Sequence, residues 1–569
     1  MKFVLRELIE NHGNLFKNIV SEIMRECSRV NYKPTLELVQ YSSLIFLLDP
    51  EQNITFESDK ETVQSFVDYC VKKIIDNESP FIKTFALQHN FLETNFDVKS
   101  YTGRSVLSEA LLMKVDTLFN EIVDFEPLTK EDYDSLFKKI LYDIIISNKL
   151  GNPANPVIVK EVTNALKSVM TRQDLLEFAS MKRKRRTDTL TEMRKIVCGI
   201  MIFNQDAGEC GHDMRNIIND VSMAFKNTRS AINESLQRAS KQVFECNQTI
   251  QNSYTIDFNS DTITFSVEDE KLINEFKEML ILLIQHEFYI KKLALIISMI
   301  RKEIDDYFKQ FRSTLKQLHE SVQYRVAVPT EMVFPYFSEL ADIWQNLWNY
   351  LYFMVEINRL NEKLNEIATT KNYETLLKKM KDQTTKTLLV KFQEDHSKIV
   401  PTDEFEWIDH FPETEAKRCP ILQFCAYIFC ISNGVLIPSA INIGVLKYQD
   451  RLYAFSHIKY ARIFATNVRK FENKFMETVR RNVQLIVYLG LYNDIKEYNF
   501  LPDMAKVDIA TDNQFQKSVE IQTELHPVPC YLKKNYTHSL WEIRRRCLTM
   551  HRLSNCVTNS TQTDMSYYK

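Results

Sequence analysis

Glycine is nearly missing from this chain: nine in 569 residues, three of them between Gly199 and Gly211. Phosphate-cradling loops and sharp turns need glycine for φ > 0, so its scarcity weighs against a Gly-rich nucleotide fold and favours long helices. Apolar residues recur at three- and four-residue spacing over residues 3–30, 35–48, 60–75 and 104–123, as amphipathic helices require. Breaks fall at Asp49-Pro50, Ser79-Pro80 and Glu126-Pro127. After the last, Thr129 and the acidic Glu131 and Asp132 predict a capped helix over 133–148. The loop GNPANP stops it at 151–156, two short helices follow, and 188–204 is helical again.

Residues 214–252 read as one long polar helix, half solvated. Residues 254–267 alternate apolar and polar side chains, which fits a short hairpin or an irregular loop. A second helical block covers 268–324 and 330–367, divided where Pro329 presets a turn and Thr330 offers a cap. Trp344 and Trp348, one helical turn apart, should anchor packing there. A charged helix or linker occupies 371–396. The most legible stretch is 443–475, IGVLKYQDRLYAFSHIKYARIFATNVRKFENKF. Gln449-Asp450 reads as a tight hairpin between aromatic and branched strands, with Ser456 as the cap of a following helix. On that helix Ala461, Phe464, Ala465, Val468 and Phe475 share one face. Beyond Leu501-Pro502 the chain is polar, and its end is expected to order only on a partner. The expected fold is mainly α, in four parts: an N-terminal helical domain (1–212), a long-helix central region (213–400), a small α+β module (401–480), and a C-terminal helix with an extended docking tail (481–569).

No chemistry stands out. A net charge of −3 gives no global attraction to nucleic acid or anionic lipid. Eleven scattered cysteines make no C-x-x-C pair and read as small buried hydrophobes in a reducing compartment. Arg6 and Glu7 interrupt the first apolar run, so no signal peptide is expected. The greasiest segment, 279–300, carries Gln285, His286, Glu287, Lys291 and Lys292 and falls short of the ~20 apolar residues that a membrane span needs. His286-Glu287 and His319-Glu320 begin like metalloprotease helices, but Ile290 and Gln323 stand where the second histidine would be. There is no G-x-S-x-G elbow. Backbone amides around Gly208 and Gly211 could meet phosphate, yet no lysine is near and Glu209 and Asp213 are. The chain is therefore expected to be soluble, intracellular and no enzyme, with no catalytic, cofactor or metal residue.

Two features remain. Lys182, Lys184 and Arg183, Arg185, Arg186 form KRKRR, open to three readings: a solvated helix end or loop, a nucleic-acid or nuclear-localisation patch, and contact with an acidic protein surface. No aromatics interleave to stack bases, so nucleic acid is the weakest of the three. The tail holds two similar tetrads, IQTE around Gln522 and Thr523, and TQTD at Thr561, Gln562, Thr563 and Asp564. Short extended peptides of this kind add as a strand to a sheet edge, and two copies allow bivalent binding. The second resembles the peptide held by the dimeric dynein light-chain hub.

The hairpin and helix of 443–475 resemble a YHS-type module, with Ser456 and Tyr460 where that family often keeps cysteines, so a metal-binding thiolate pair is missing. Over its whole length the chain resembles the cilia- and flagella-associated protein 206 family. The matching stretches are LGNP (150–153), KEVTNALKSV (160–169), GIMIFNQDAG (199–208), VAVPTEMVFPYF (326–337) and FPET (411–414). FCAYIF (424–429), NGVLIP (433–438), IGVLKYQDRLYAF (443–455), WEIRRR (541–546) and STQTD complete them. The resemblance implies an axonemal adaptor of the motile cilium or flagellum. It would anchor a radial spoke and a neighbouring inner-arm dynein to the doublet microtubule, with the basal body a further location, and beating and sperm motility would need it. Its implied partners are the radial-spoke base proteins, the doublet and inner-arm dynein, with neither nucleic acid nor membrane. KRKRR and Arg544, Arg545 and Arg546 then become candidates for acidic tubulin surfaces. The alternative is a cytoplasmic helical tether that recruits the light-chain hub through its tail.

Overall fold

The computed structural model describes residues 14–495, apart from 52–59, 102–108, 258–261, 266, 268, 324–327, 371, 384–404, 417–418 and 493. The fold is mainly α. Eight helices come first: α1 (Asn14–Arg29), α2 (Leu36–Phe46), α3 (Lys60–Ile75), α4 (Pro80–Glu93), α5 (Glu109–Asp124), α6 (Lys130–Ser147), α7 (Pro156–Val169) and α8 (Arg172–Ser180). Four long ones make the centre: α9 (Arg183–Asp206), α10 (Ile217–Gln251), α11 (Glu270–Val322) and α12 (Thr330–Ala368). At 1.5 Å per residue, the 53 residues of α11 span about 80 Å. α10, α11 and α12 touch one another, α9 lies on α12, and α4 lies across α11 and α12.

Capping explains the boundaries. Thr129 and Asp132 form a reciprocal capping box at α6, and Thr171 with Asp174 repeats it at α8. The amides and hydroxyls of these threonines hold both carboxyls below their usual range. At α12 the expectation fails: Thr330 is the first helical residue and Pro329, without a side-chain cap bond, holds the cap position. The break expected at Ser79-Pro80 falls between α3 and α4 and is also a helix start: Ser79 caps α4, its oxygen accepting from Phe81, and Pro80 is the N1 residue.

The α9–α12 crossing depends on Gly199. A Cβ there would lie 2.2 Å from the carbonyl oxygen of Phe337 and 2.4 Å from its Cα, so no side chain fits. Nearby, Trp344 is fully buried, sits edge-on to Trp348, and donates its indole N–H to Asn148 O at 2.9 Å.

The open reading of 254–267 resolves as a hairpin. β1 (Tyr254–Asp257) pairs antiparallel with β2 (Thr262–Phe265), Tyr254 opposite Phe265. After α13 (Tyr373–Gln383) comes a three-stranded antiparallel sheet, β3 (Glu406–Ile408), β4 (Val445–Tyr448) and β5 (Arg451–Ala454), in that order. Gln449 takes φ +53° in the two-residue turn between β4 and β5. Gly444, at φ +116°, lets the chain pass the Trp407 ring, which an added Cβ would meet at 2.5 Å. Short α14 (Glu413–Ala416) and α15 (Ala426–Ile431) precede the hairpin, and α16 (Ile458–Thr466), α17 (Val468–Arg481) and α18 (Ile486–Leu489) follow it. Two local expectations are corrected here. His457, not Ser456, caps α16, its Nδ1 accepting from the Lys459 amide at 3.1 Å. The expected single helix is two, parted at Asn467 (φ −149°, ψ 69°), whose side chain caps α17.

Candidate docking surfaces

The basic run opens α9. Lys182 is the cap residue, and Arg183, Lys184 and Arg185 lie exposed in the first turn, where there is no acidic residue. Cations at a helix N-terminus oppose the macrodipole, so helix stability does not account for them. Arg183 reaches Asp124 at 2.8 Å and the Asn120 amide oxygen at 3.1 Å. Arg186 differs: it is 7% exposed, donating to Val123 O at 3.0 Å, Phe125 O at 2.7 Å, Met181 O at 2.9 Å and also Ala179 O. These are carbonyls at the ends of α5 and α8 that helical bonding leaves over. Of the five cations, Lys182, Lys184 and Arg185 are therefore the ones displayed outward without such work. Gln522, Thr523, Thr561, Gln562, Thr563, Arg544, Arg545 and Arg546 lie outside the described residues.

The second surface is the module around the β3–β5 sheet. Its aromatic centre holds Tyr448, Tyr453, Phe455, Phe464 and Phe471, all buried as their pattern predicts. Phe464 stacks on Phe471 at 5.3 Å and contacts Tyr453 and Phe455 at the same separation. The sequence did not mark the apolar stretch 424–431 as the module's middle. There Tyr427 stacks on Tyr460 at 5.5 Å, and Phe429 meets Phe475 at 4.9 Å. Burial raises the Cys425 thiol pKa, while the Ser456 hydroxyl beside it pulls the other way. Among the described residues no group of three His, Cys, Asp or Glu is placed to hold a metal ion.

Three distant stretches join this module to the helices. Gln88 of α4 donates to Gln285 Oε1 of α11 at 2.7 Å and to Gln484 O at 2.7 Å, and Gln285 donates to that carbonyl at 2.9 Å. Tyr41 of α2 completes the set, donating to Gln88 Oε1 at 2.7 Å. Because all of these groups are buried, the node fixes the relative placement of α2, α4, α11 and the stretch at Gln484: any shift would orphan several polar atoms. Tyr488 packs edge-on to Phe288 at 5.0 Å. Lys277, pushed down to about 8 by burial, donates to Asn433 O. Arg451 ties β5 to Glu472 of α17 and to Asp494.

The glycine loop gives little room to a phosphate. The Gly211 amide already donates to Glu161 Oε2 at 3.0 Å. Among the described residues His286 and Glu287 do not converge with a second histidine: His286 is buried against Asn365 and Arg238, its pKa lowered to about 4 mainly by desolvation. Among the described residues no helix is long and apolar enough to cross a membrane.

Fold and surfaces together describe a long-helix protein that carries an aromatic-cored α+β module locked to its centre. A family model described as FAP206, a domain of unknown function, matches residues 220–496, from α10 through that module. Proteins named Cilia- and flagella-associated protein 206 align with 98% of the chain and 90% of their own length: 28% identical in Rattus norvegicus, 27% in Homo sapiens and 22% in Tetrahymena thermophila. The chain is thus similar to the cilia- and flagella-associated protein 206 family over nearly its whole length. No solved structure matches it.

Proposed function

We propose that this chain is a non-catalytic structural adaptor of the ciliary or flagellar axoneme. It anchors a radial spoke, and the neighbouring inner dynein arm, to the doublet microtubule, and beating and sperm motility depend on it. The observation that carries the reading is kinship over the whole length. An isolated shared domain would suit many settings, whereas here the alignment runs over 98% of this chain and 90% of the relative. Long rigid helices suit a part that spans between neighbours, and the outward Lys182, Lys184 and Arg185 suit an acidic tubulin surface. The tail tetrads at Gln522-Thr523 and Thr561-Gln562-Thr563 are the docking peptides we assign to a light-chain dimer.

The test is location. A tagged full-length chain in multiciliated cells should mark the axoneme and stay with it after the membrane is stripped by detergent. A diffuse signal that leaves with the soluble fraction would contradict the reading and favour a cytoplasmic tether. For the tail, alanine at Gln522, Thr523, Thr561, Gln562 and Thr563 together should abolish calorimetric binding of the full chain to the light-chain dimer. Unchanged binding would remove that assignment.

A further inference from the structure

Helices α10 and α11 run antiparallel, and their outer face holds a trough that no described element covers. Further along, Ser240 Oγ donates to Glu287 Oε1 at 2.6 Å and sets the pairing of the two helices. Toward the start of α10 the helices leave two adjoining hollows, about 450 and 340 Å³, which share Phe225, Arg229, Asn233 and Arg301 and so form one trough. Residues 222–233 line one wall, three helical turns, or about 18 Å at 1.5 Å per residue. The floor is apolar: Ile232, Ile297 and Ile304 are buried, and Phe225 and Phe308 are half covered.

The rim is cationic. Lys226 and Arg229 stand on the α10 wall and Arg301 on the α11 wall. The lone acidic residue of the lining, Asp305, lies 3.8 Å from Arg301. Lys226 and Arg229 have no carboxylate partner among the described residues, in a chain with slightly more acidic than basic side chains. A solvated helix face would ordinarily pair such cations with acids three or four residues away, as Lys291 does with Glu287. An apolar floor three turns long, flanked by two unpaired cations on the α10 wall and by Arg301 on the other, fits one kind of occupant, a helix with apolar residues at i, i+3, i+4 and i+7 and acidic residues beside them.

We propose that this trough binds an acidic amphipathic helix of a partner protein. The surface is separate from the basic turn of α9, so the two sites are independently testable. The probe is a fluorescent 16-residue peptide with leucine at i, i+3, i+4 and i+7 and glutamate elsewhere on its flanks. A lysine-for-glutamate version and a version with its leucines scattered round the helix serve as comparisons. Binding to the purified full chain is followed by fluorescence anisotropy. The acidic peptide should bind at least ten-fold more tightly than either comparison, and more weakly as salt rises. The triple variant Lys226→Glu, Arg229→Glu, Arg301→Glu should lose at least ten-fold in affinity with its thermal unfolding unchanged. Lys184→Glu with Arg185→Glu, on α9, should bind like wild type. Equal binding of the scattered peptide, or loss in the α9 variant in place of the trough variant, would overturn the proposal.

Discussion

Replacing Gly199 by alanine sets two effects of opposite sign against each other. Alanine is the better helix former by about 1 kcal/mol, so on propensity alone Gly199→Ala within α9 should stabilise the protein. Packing argues the reverse. The new methyl would start 2.2 Å from Phe337 O and 2.6 Å from Phe337 C, and ordinary contact begins near 3.4 Å. The obstruction is backbone, not the tip of a flexible side chain, so α9 and α12 must separate by more than 1 Å along their shared face. Overpacking of this kind costs about 1–3 kcal/mol, and a shift of two long helices belongs at the upper end. The net expectation is a loss of about 1–2 kcal/mol once the propensity gain is subtracted. Urea unfolding of the full chain, followed by tryptophan fluorescence because Trp344 and Trp348 lie beside the crossing, reads it directly. A variant as stable as wild type, or more so, would show that the helices do not approach as described.

Three further outcomes follow from buried polar groups. Arg186→Met should destabilise the chain by about 2–4 kcal/mol, since the carbonyls it serves at the ends of α5 and α8 lose a charged donor, whereas Lys182→Gln, Lys184→Gln and Arg185→Gln together should leave unfolding within about 0.5 kcal/mol of wild type. Neutralising the whole run would thus confuse a folding defect with a lost contact. Arg194 grips the fully buried Asp143 with two bonds of 2.6 Å, so Arg194→Met should cost about 3–5 kcal/mol by stranding the carboxylate, and adding Asp143→Leu should recover most of it. His286 titrates at about 4 when folded and near 6.5 when unfolded, so between those values the unfolded chain alone takes the proton. Its contribution is intact above pH 6.5 and is lost as pH falls towards 4, at no more than about 1.4 kcal/mol per pH unit. His286→Gln should make the stability-against-pH curve shallower within that window, as unfolding in a buffer series would show.

The sequence made the long helices legible because periodicity and missing glycine point the same way, and caps such as Thr129 with Asp132 carry their own signature. The β4–β5 hairpin was legible for the same reason, with two strand-like runs around two turn residues. Helix α4 was not, because Ser79-Pro80 suits both a break and a helix start, and only contact with α11 and α12 decides. The split at Asn467 escaped because both halves keep the same apolar spacing across it. The candidate docking residues were legible as charges, yet a one-dimensional reading treats Arg186 like its neighbours. Only the carbonyls converging from α5 and α8 set it apart. Gln88 and Gln285 gave no signal at all, since a buried glutamine looks like a surface one until its partners from distant segments are known.

The central claim concerns the axoneme, and averaged tomograms of cilia lacking this protein test it most directly. If the chain anchors a spoke, one radial spoke should be missing from every repeat of the doublet, with its neighbouring inner-arm density weakened and the other spokes in place. A full, normally spaced set of spokes in those cilia would contradict the claim.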